Sequence, residues 1–250
     1  AESVIKKVCK QNNSKLIIPT EQDSENVEID GLTTKVTYKA SNNKEYILNL
    51  QALGTYQIKN AKTAVEVALV LDKALTEKTN ICDESDKNNG TGMKNNINNS
   101  GNTIEKNIKK GIEKTVWPGR MEVISKEPLI IIDGAHNPGA VLELRKTLDL
   151  YFTNKRIIYI MGVLKDKEYK KMLRYLMPMA KEVYVFKPKN ERGLSAQILA
   201  DTIKEVADVS VTIESDVNAA VFRALDTAKS DDVLVACGSL SFMEEMEAIQ

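Results

Sequence analysis

The sequence predicts an α/β protein whose C-terminal half is a Rossmann-like, mainly parallel sheet covered by helices on both faces. Three observations carry this expectation. From about residue 128, short apolar runs alternate regularly with stretches of helical spacing. The connections between them are short, which suits right-handed strand–helix–strand crossovers. One heptapeptide, Asp133-Gly134-Ala135-His136-Asn137-Pro138-Gly139, links an apolar run to a helical pattern and places polar groups at the strand's carboxyl end.

The element order follows from the pattern. Strands are expected near 128–132, 156–161, 182–187, 209–213 and 233–237, with helices near 138–151, 167–177, 194–206, 216–228 and 240–249. The first of these helices has Val141, Leu144, Leu148 and Tyr151 at three- and four-residue steps, one face of a helix. Asn137 is a good N-cap and Pro138 suits the first helical position.

The N-terminal part reads as mixed α/β. An amphipathic helix over about 2–11 carries Val4, Ile5 and Val8, and Lys15–Pro19 reads as a short strand. Alternating runs over 33–40 and 45–50 flank Ser41-Asn42-Asn43, a hairpin pattern, and a helix is expected from about 57 to 74. Residues 76–111 are Asn-rich around 86–102 and are read as a flexible insertion with too little apolar surface to offset ordering entropy. The resulting division is 1–75, a connecting segment 76–116, and a C-terminal domain 117–250.

Composition excludes some classes of function. Lys+Arg and Asp+Glu both number 35, so no global field favours nucleic acid or an acidic membrane. No apolar stretch approaches the roughly 20 residues of a membrane span, and the N-terminus has no signal-peptide pattern. Cys9, Cys82 and Cys237 are far apart and lack metal-type spacing, so no metal ligand is assigned and a reducing cytoplasm is the expected home.

In an open α/β sheet, ligands bind beyond the carboxyl ends of the strands. That edge brings Asp133, His136 and Asn137 from the first loop, 162–167 from the second, 187–192 from the third, and Gly238-Ser239 from the last. Lys and Arg there suit phosphate or carboxylate, and a carboxylate accepts hydrogen bonds from a ribose. Each residue also has a local reading. Asp133 would brace its loop, His136 would be an exposed loop residue, and Ser239 would cap a helix. Trp117-Pro118-Gly119-Arg120 would be a tight turn, and Asn60 would belong to a helix start.

Taken together, the segments resemble the folylpolyglutamate synthase and dihydrofolate synthase family of the Mur ligase superfamily. The resemblance rests on Leu53-Gly54-Thr55-Tyr56-Gln57-Ile58-Lys59-Asn60-Ala61, on Trp117-Pro118-Gly119-Arg120-Met121-Glu122, on Asp133 through Pro138, and on Gly162…Asp166-Lys167 and Gly238-Ser239-Leu240. Tyr56 stands where the family usually has His.

The resemblance implies the end of a Mur ligase central domain followed by its C-terminal domain. It also implies ATP-dependent ligation of L-glutamate to the γ-carboxylate of a folate through an acyl phosphate, with Mg²⁺ as the accompanying ion. Asn60, Arg120 and Asp133 would contact ATP, His136 would lie near the reacting groups, and Ser239 would face substrate. The family's phosphate loop and metal ligands have no counterpart in these residues. The chain is therefore expected to be a C-terminal portion, inactive alone and monomeric in the full-length enzyme. The competing expectations are another Mur-type amino-acid ligase and a non-catalytic nucleotide-binding module.

Overall fold

A computed structural model describes residues 2–19, 24–85, 100–242 and 246. Two units emerge: residues 1–51 with 56–115, and residues 52–55 with 116–250.

The first unit opens with α1 (Glu2–Gln11), none of whose residues is buried. Residues 15–19, expected as a strand, have no regular secondary structure. The run has no pairing partner among the described strands, and it ends in Pro19, which has no N–H to offer a ladder. Strands β1 (Ser24–Asp30), β2 (Thr33–Lys39) and β3 (Glu45–Leu50) form an antiparallel sheet in that order. The expected hairpin is β2–β3. Its turn places Asn43 at φ +63°, a conformation Asn tolerates better than most residues. Alternation buries Val36 and Tyr38 on β2 and Tyr46, Leu48 and Leu50 on β3.

β1 was not expected, because only Val27 and Ile29 are apolar in it. Its sequence signal was Gly31, which sits at φ +56° in the two-residue turn between the paired Asp30 and Thr33.

Helix α2 (Thr55–Ser85) outlasts the expected 57–74. Ala61 and Val65 pack on the buried face of the sheet, and α3 (Ser100–Glu113) adds Ile104, Ile108 and Ile112 at four-residue steps. Within 76–111, read from the sequence as a flexible insertion, residues from Ser100 onward are therefore helical. Asn-rich composition masked the isoleucine stripe of α3, while residues 86–99 lie outside the described residues. The buried Glu66 ties α2 to the hairpin by accepting from Tyr38 Oη at 2.7 Å and from the Ser41 N–H at 2.8 Å.

The second unit runs β4 (Glu122–Lys126), β5 (Leu129–Asp133), α4 (Pro138–Tyr151), β6 (Ile157–Met161), α5 (Tyr169–Leu176), β7 (Ala180–Val185), α6 (Ala196–Val206), β8 (Ser210–Ile213), α7 (Val217–Thr227) and β9 (Val233–Cys237). The six-stranded sheet has the order β4-β5-β9-β6-β7-β8. Only β4 is antiparallel; every other pair is parallel. This is the mainly parallel α/β sheet that the alternation implies, with one unexpected edge strand. β4 escapes a sequence reading because Glu122-Val123-Ile124-Ser125-Lys126 is short and only half-buried.

The helix expected over 240–249 begins as a 3₁₀ turn at Leu240–Phe242. Met246 is helical, and residues 243–245 and 247–250 lie outside the described residues.

The fully buried strands explain their near-continuous apolar runs. Ile130, Ile132, Ile158, Ile160, Leu234 and Ala236 pack against Val217, Val221 and Ala224 of α7. The alternate residues, including Ile131, Tyr159 and Val235, are buried on the other face. There burial pushes the pKa of the Tyr159 hydroxyl well up. Among the described residues no helix is long and apolar enough to cross a membrane.

Topology selects one point on the carboxyl edge. From β5 the chain passes over to β6, moves outward through β7 and β8, and returns through α7 to lay β9 in the gap between β5 and β6. Strand order reverses there, so the loops after β5, β9 and β6 meet at the kind of sheet edge where open α/β sheets bind ligands.

Candidate functional site

Asp133 ends β5 and is only 3% exposed. A buried carboxylate needs compensating donors, and this one has them on both oxygens. Oδ1 accepts the Ala135 N–H at 2.9 Å, shaping its own loop. Oδ2 accepts the Met121 N–H at 3.0 Å, reaching back across twelve residues.

That second bond fixes the Trp117–Arg120 turn against the sheet edge. The Arg120 N–H donates to Trp117 O at 3.3 Å and the Gly134 N–H donates to Gly119 O at 2.8 Å. The Gly119 N–H donates to Glu122 Oε2 at 2.7 Å. Gly119 and Met121 both have positive φ, +67° and +48°. The Met121 conformation is uncommon for a side-chain-bearing residue, and the surrounding bonds hold it. Arg120, half-buried, leaves the chain between these two anchors.

His136 follows in the same loop. Its Nδ1 lies 2.8 Å from Gly134 O. A carbonyl oxygen only accepts, so Nδ1 carries the hydrogen and the neutral ring keeps its lone pair on Nε2. Asn137 then caps α4, with Oδ1 accepting the Ala140 N–H at 2.9 Å, and Pro138 takes the first turn.

The loops after β9 and β6 close on this one. The Gly238 N–H donates to Ala135 O at 3.0 Å. Gly238 has φ +112°, and a Cβ there would lie 2.8 Å from Gly162 O, so only glycine fits between the two loops. Ser239 is buried, and its hydroxyl shares a 2.8 Å bond with the Ser241 hydroxyl and accepts the Ser241 N–H at 3.2 Å.

Further along the edge, the loops after β6 and β7 pair with each other. The Lys165 N–H donates to Arg192 O at 2.8 Å, and the Leu194 N–H donates to Val163 O at 2.9 Å. The Arg192 guanidinium binds both Asp166 oxygens, at 3.1 and 2.5 Å, and this hydrogen bonding holds the Asp166 carboxyl below its ordinary value.

The structure thus gathers Arg120, Asp133, His136 and Ser239 on one edge of the second unit. Asn60 lies on α2 in the first unit, is exposed, and donates from Nδ2 to Gln57 Oε1 at 3.0 Å. Sequence reasoning missed Met121 as a partner of Asp133. No local pattern marks it, because the bond joins an antiparallel edge strand that the pattern did not reveal. Among the described residues no three His, Cys, Asp or Glu side chains gather as a metal site.

The fold and this edge define a class. Residues 119–240 match the family described as Mur ligase, glutamate ligase domain. The likeness is to the C-terminal portion of folylpolyglutamate and dihydrofolate synthases of the Mur ligase superfamily.

The dihydrofolate synthase/folylpolyglutamate synthase of Bacillus subtilis is 30% identical over 140 residues, which are 56% of this chain and 32% of that protein. The bifunctional enzyme of Yersinia pestis, solved with AMPPNP and Mn ion, is 32% identical with a TM-score of 0.52 over 57% of this chain and 33% of its own. The folylpolyglutamate synthase of Mycobacterium tuberculosis, solved with ADP and AMPPCP, shares the fold at 18% identity and a TM-score of 0.75. That likeness covers 99% of this chain and 52% of that chain, so the chain spans about half the length of this solved relative.

Proposed function

We propose that this chain serves an ATP-dependent ligase that joins L-glutamate to the γ-carboxylate of a folate through an acyl phosphate. The observation that carries the reading is the Asp133 carboxylate. Buried and bonded on both oxygens, it pins the turn bearing Arg120 beside the loop bearing His136 at the point where strand order reverses. The known ligands of the solved relatives, ADP, AMPPCP and AMPPNP with Mn ion, supply the nucleotide half of the proposal.

The groups present suit a nucleotide. Arg120 supplies a permanent cation with several donors for phosphate oxygens. The Asp133 carboxylate is a hydrogen-bond acceptor of the kind that suits a ribose hydroxyl. When bound, ATP supplies the phosphoryl group that turns an unreactive carboxylate into an acylating agent. Charge stabilisation by Arg120 at a pre-formed site lowers the barrier without reorganisation. The Nε2 lone pair of His136 is suited to take a proton from the incoming ammonium group, which must lose one to become a nucleophile. Asn60 is assigned to the nucleotide, and Ser239 to substrate, on their motifs alone. Mg²⁺ is proposed as the ion accompanying ATP, and no ligand for it is assigned in this chain.

The test is ATP-dependent incorporation of labelled glutamate by the protein carrying this chain, with tetrahydrofolate and dihydropteroate offered separately as acceptors. Incorporation that Arg120→Ala reduces by a hundredfold or more supports the reading, in line with losses of about 10²–10³ on removing one charge-stabilising donor. Wild-type turnover in Arg120→Ala removes that residue's role. No incorporation with either acceptor removes the folate assignment.

A further inference from the structure

Arg120 stands between two residues in the left-handed conformation, Gly119 at φ +67° and Met121 at φ +48°. Each of these neighbours gives its own N–H to a carboxylate. Met121 donates to Asp133 Oδ2 at 3.0 Å, and Gly119 donates to Glu122 Oε2 at 2.7 Å. The first carboxylate closes the loop that also bears His136. The second belongs to Glu122, the half-buried first residue of β4, whose side chain turns back over three residues to its own turn. Strand pairing sets Glu122 opposite Ile132, the residue before Asp133, so the two carboxylates come from neighbouring strands.

The bond to Gly119 matters because glycine adopts positive and negative φ about equally readily. Nothing in Gly119 itself selects φ +67°. A carboxylate accepting a backbone N–H makes a charge-assisted bond, about twice as strong as a neutral one, and this one supplies the selection. The Arg120 N–H makes only a 3.3 Å bond, to Trp117 O. The direction in which Arg120 leaves the chain therefore depends on how its two neighbours are held.

We infer that Glu122 is a positioning residue, whose carboxylate keeps Gly119 left-handed and so fixes how Arg120 is presented to the phosphates of the nucleotide. The inference rests on the nucleotide role proposed for Arg120 and adds the group that holds that residue in place.

The experiment is a double-mutant cycle in the protein carrying this chain. It is read as kcat/KM for ATP in labelled-glutamate incorporation, with thermal midpoints measured alongside. Glu122→Ala is expected to lower kcat/KM about 10–100-fold, the scale of loss when a reacting group is misplaced by about 1 Å. Glu122→Gln keeps a side-chain oxygen that accepts the Gly119 N–H, and is expected to recover most of that loss. In an Arg120→Ala background, Glu122→Ala is expected to cost little further activity, because residues acting through one another are not additive.

Two results overturn the inference alone. One is an equal loss from Glu122→Ala with and without Arg120, which would make the carboxylate a general support of the fold. The other is wild-type kcat/KM in Glu122→Ala. A parent protein with no ATP-dependent incorporation removes the nucleotide reading, and the inference with it. If circular dichroism shows that Glu122→Ala does not fold, Glu122→Asp, one methylene shorter, takes its place in the cycle with the same expected pattern.

Discussion

Asp133 Oδ2 holds the backbone N–H of Met121 at 3.0 Å, and this bond joins the end of a buried parallel strand to a strained turn on the neighbouring antiparallel edge. The carboxylate thus has a structural duty before any ligand arrives. The nucleotide role proposed for Asp133 is added to that duty, since both oxygens already compensate buried N–H groups.

Asp133→Ala leaves the Met121 and Ala135 N–H groups without their partner at once. Each buried orphan costs about 1–3 kcal/mol, so the variant is expected to lose about 2–6 kcal/mol of folding stability. Urea denaturation followed by circular dichroism measures this. Nucleotide affinity is expected to fall with it, because Met121 is released from φ +48° and the turn bearing Arg120 loses its anchor. A variant as stable as the parent chain would show that the brace contributes little.

Gly238 is the second constraint on the same sheet edge. Its φ of +112° lies where side-chain-bearing residues are strained, and a Cβ would meet the backbone oxygen of Gly162 at 2.8 Å. The Gly238 loop cannot yield without disturbing its hydrogen bond to Ala135 O. Gly238→Ala is expected to destabilise the chain by about 2–3 kcal/mol through backbone strain alone. Gly139→Ala is the control, because its Cβ would meet nothing closer than Asn137 Oδ1 at 3.5 Å and its φ is ordinary. Thermal melts that rank the two equally would refute the steric account.

What the sequence revealed of this site was local. The run Leu129–Ile132 before Asp133, the Asn137 cap and the Pro138 start are each visible within a few residues, and together they placed the loop at a strand end. The bond from Asp133 to Met121 was not visible, because it depends on β4 folding back antiparallel. The paired β6 and β7 loops were hidden similarly: Asp166 and Arg192 are 26 residues apart, and each alone reads as a surface charge. In the first unit, Asn-rich composition concealed α3, although Ile104, Ile108 and Ile112 carry the helical step that defines its buried face.

Asp216 provides a pH-dependent test of the second unit. Its Oδ1 accepts the Ala219 N–H at 3.0 Å and caps α7, whose Val217, Val221 and Ala224 pack on the sheet. That backbone hydrogen bond is the largest influence on the Asp216 carboxyl and holds its pKa below the ordinary 3.8. A carboxyl whose pKa is lowered by folding binds protons more readily when unfolded. Its contribution is therefore complete above the unfolded value of about 3.9 and is lost as pH falls through the lower folded value. At neutral pH Asp216→Ala is expected to cost about 1 kcal/mol, the usual worth of an N-cap. The gap from the parent chain should narrow as the pH falls below about 4. Asp216→Asn, which caps without a titrating group, should match the parent chain at neutral pH and lose less of its stability in acid. Urea unfolding at a series of pH values from neutral downward measures all three. A gap between the parent chain and Asp216→Ala that stays constant into acid would show that the ionised carboxylate is not what caps α7.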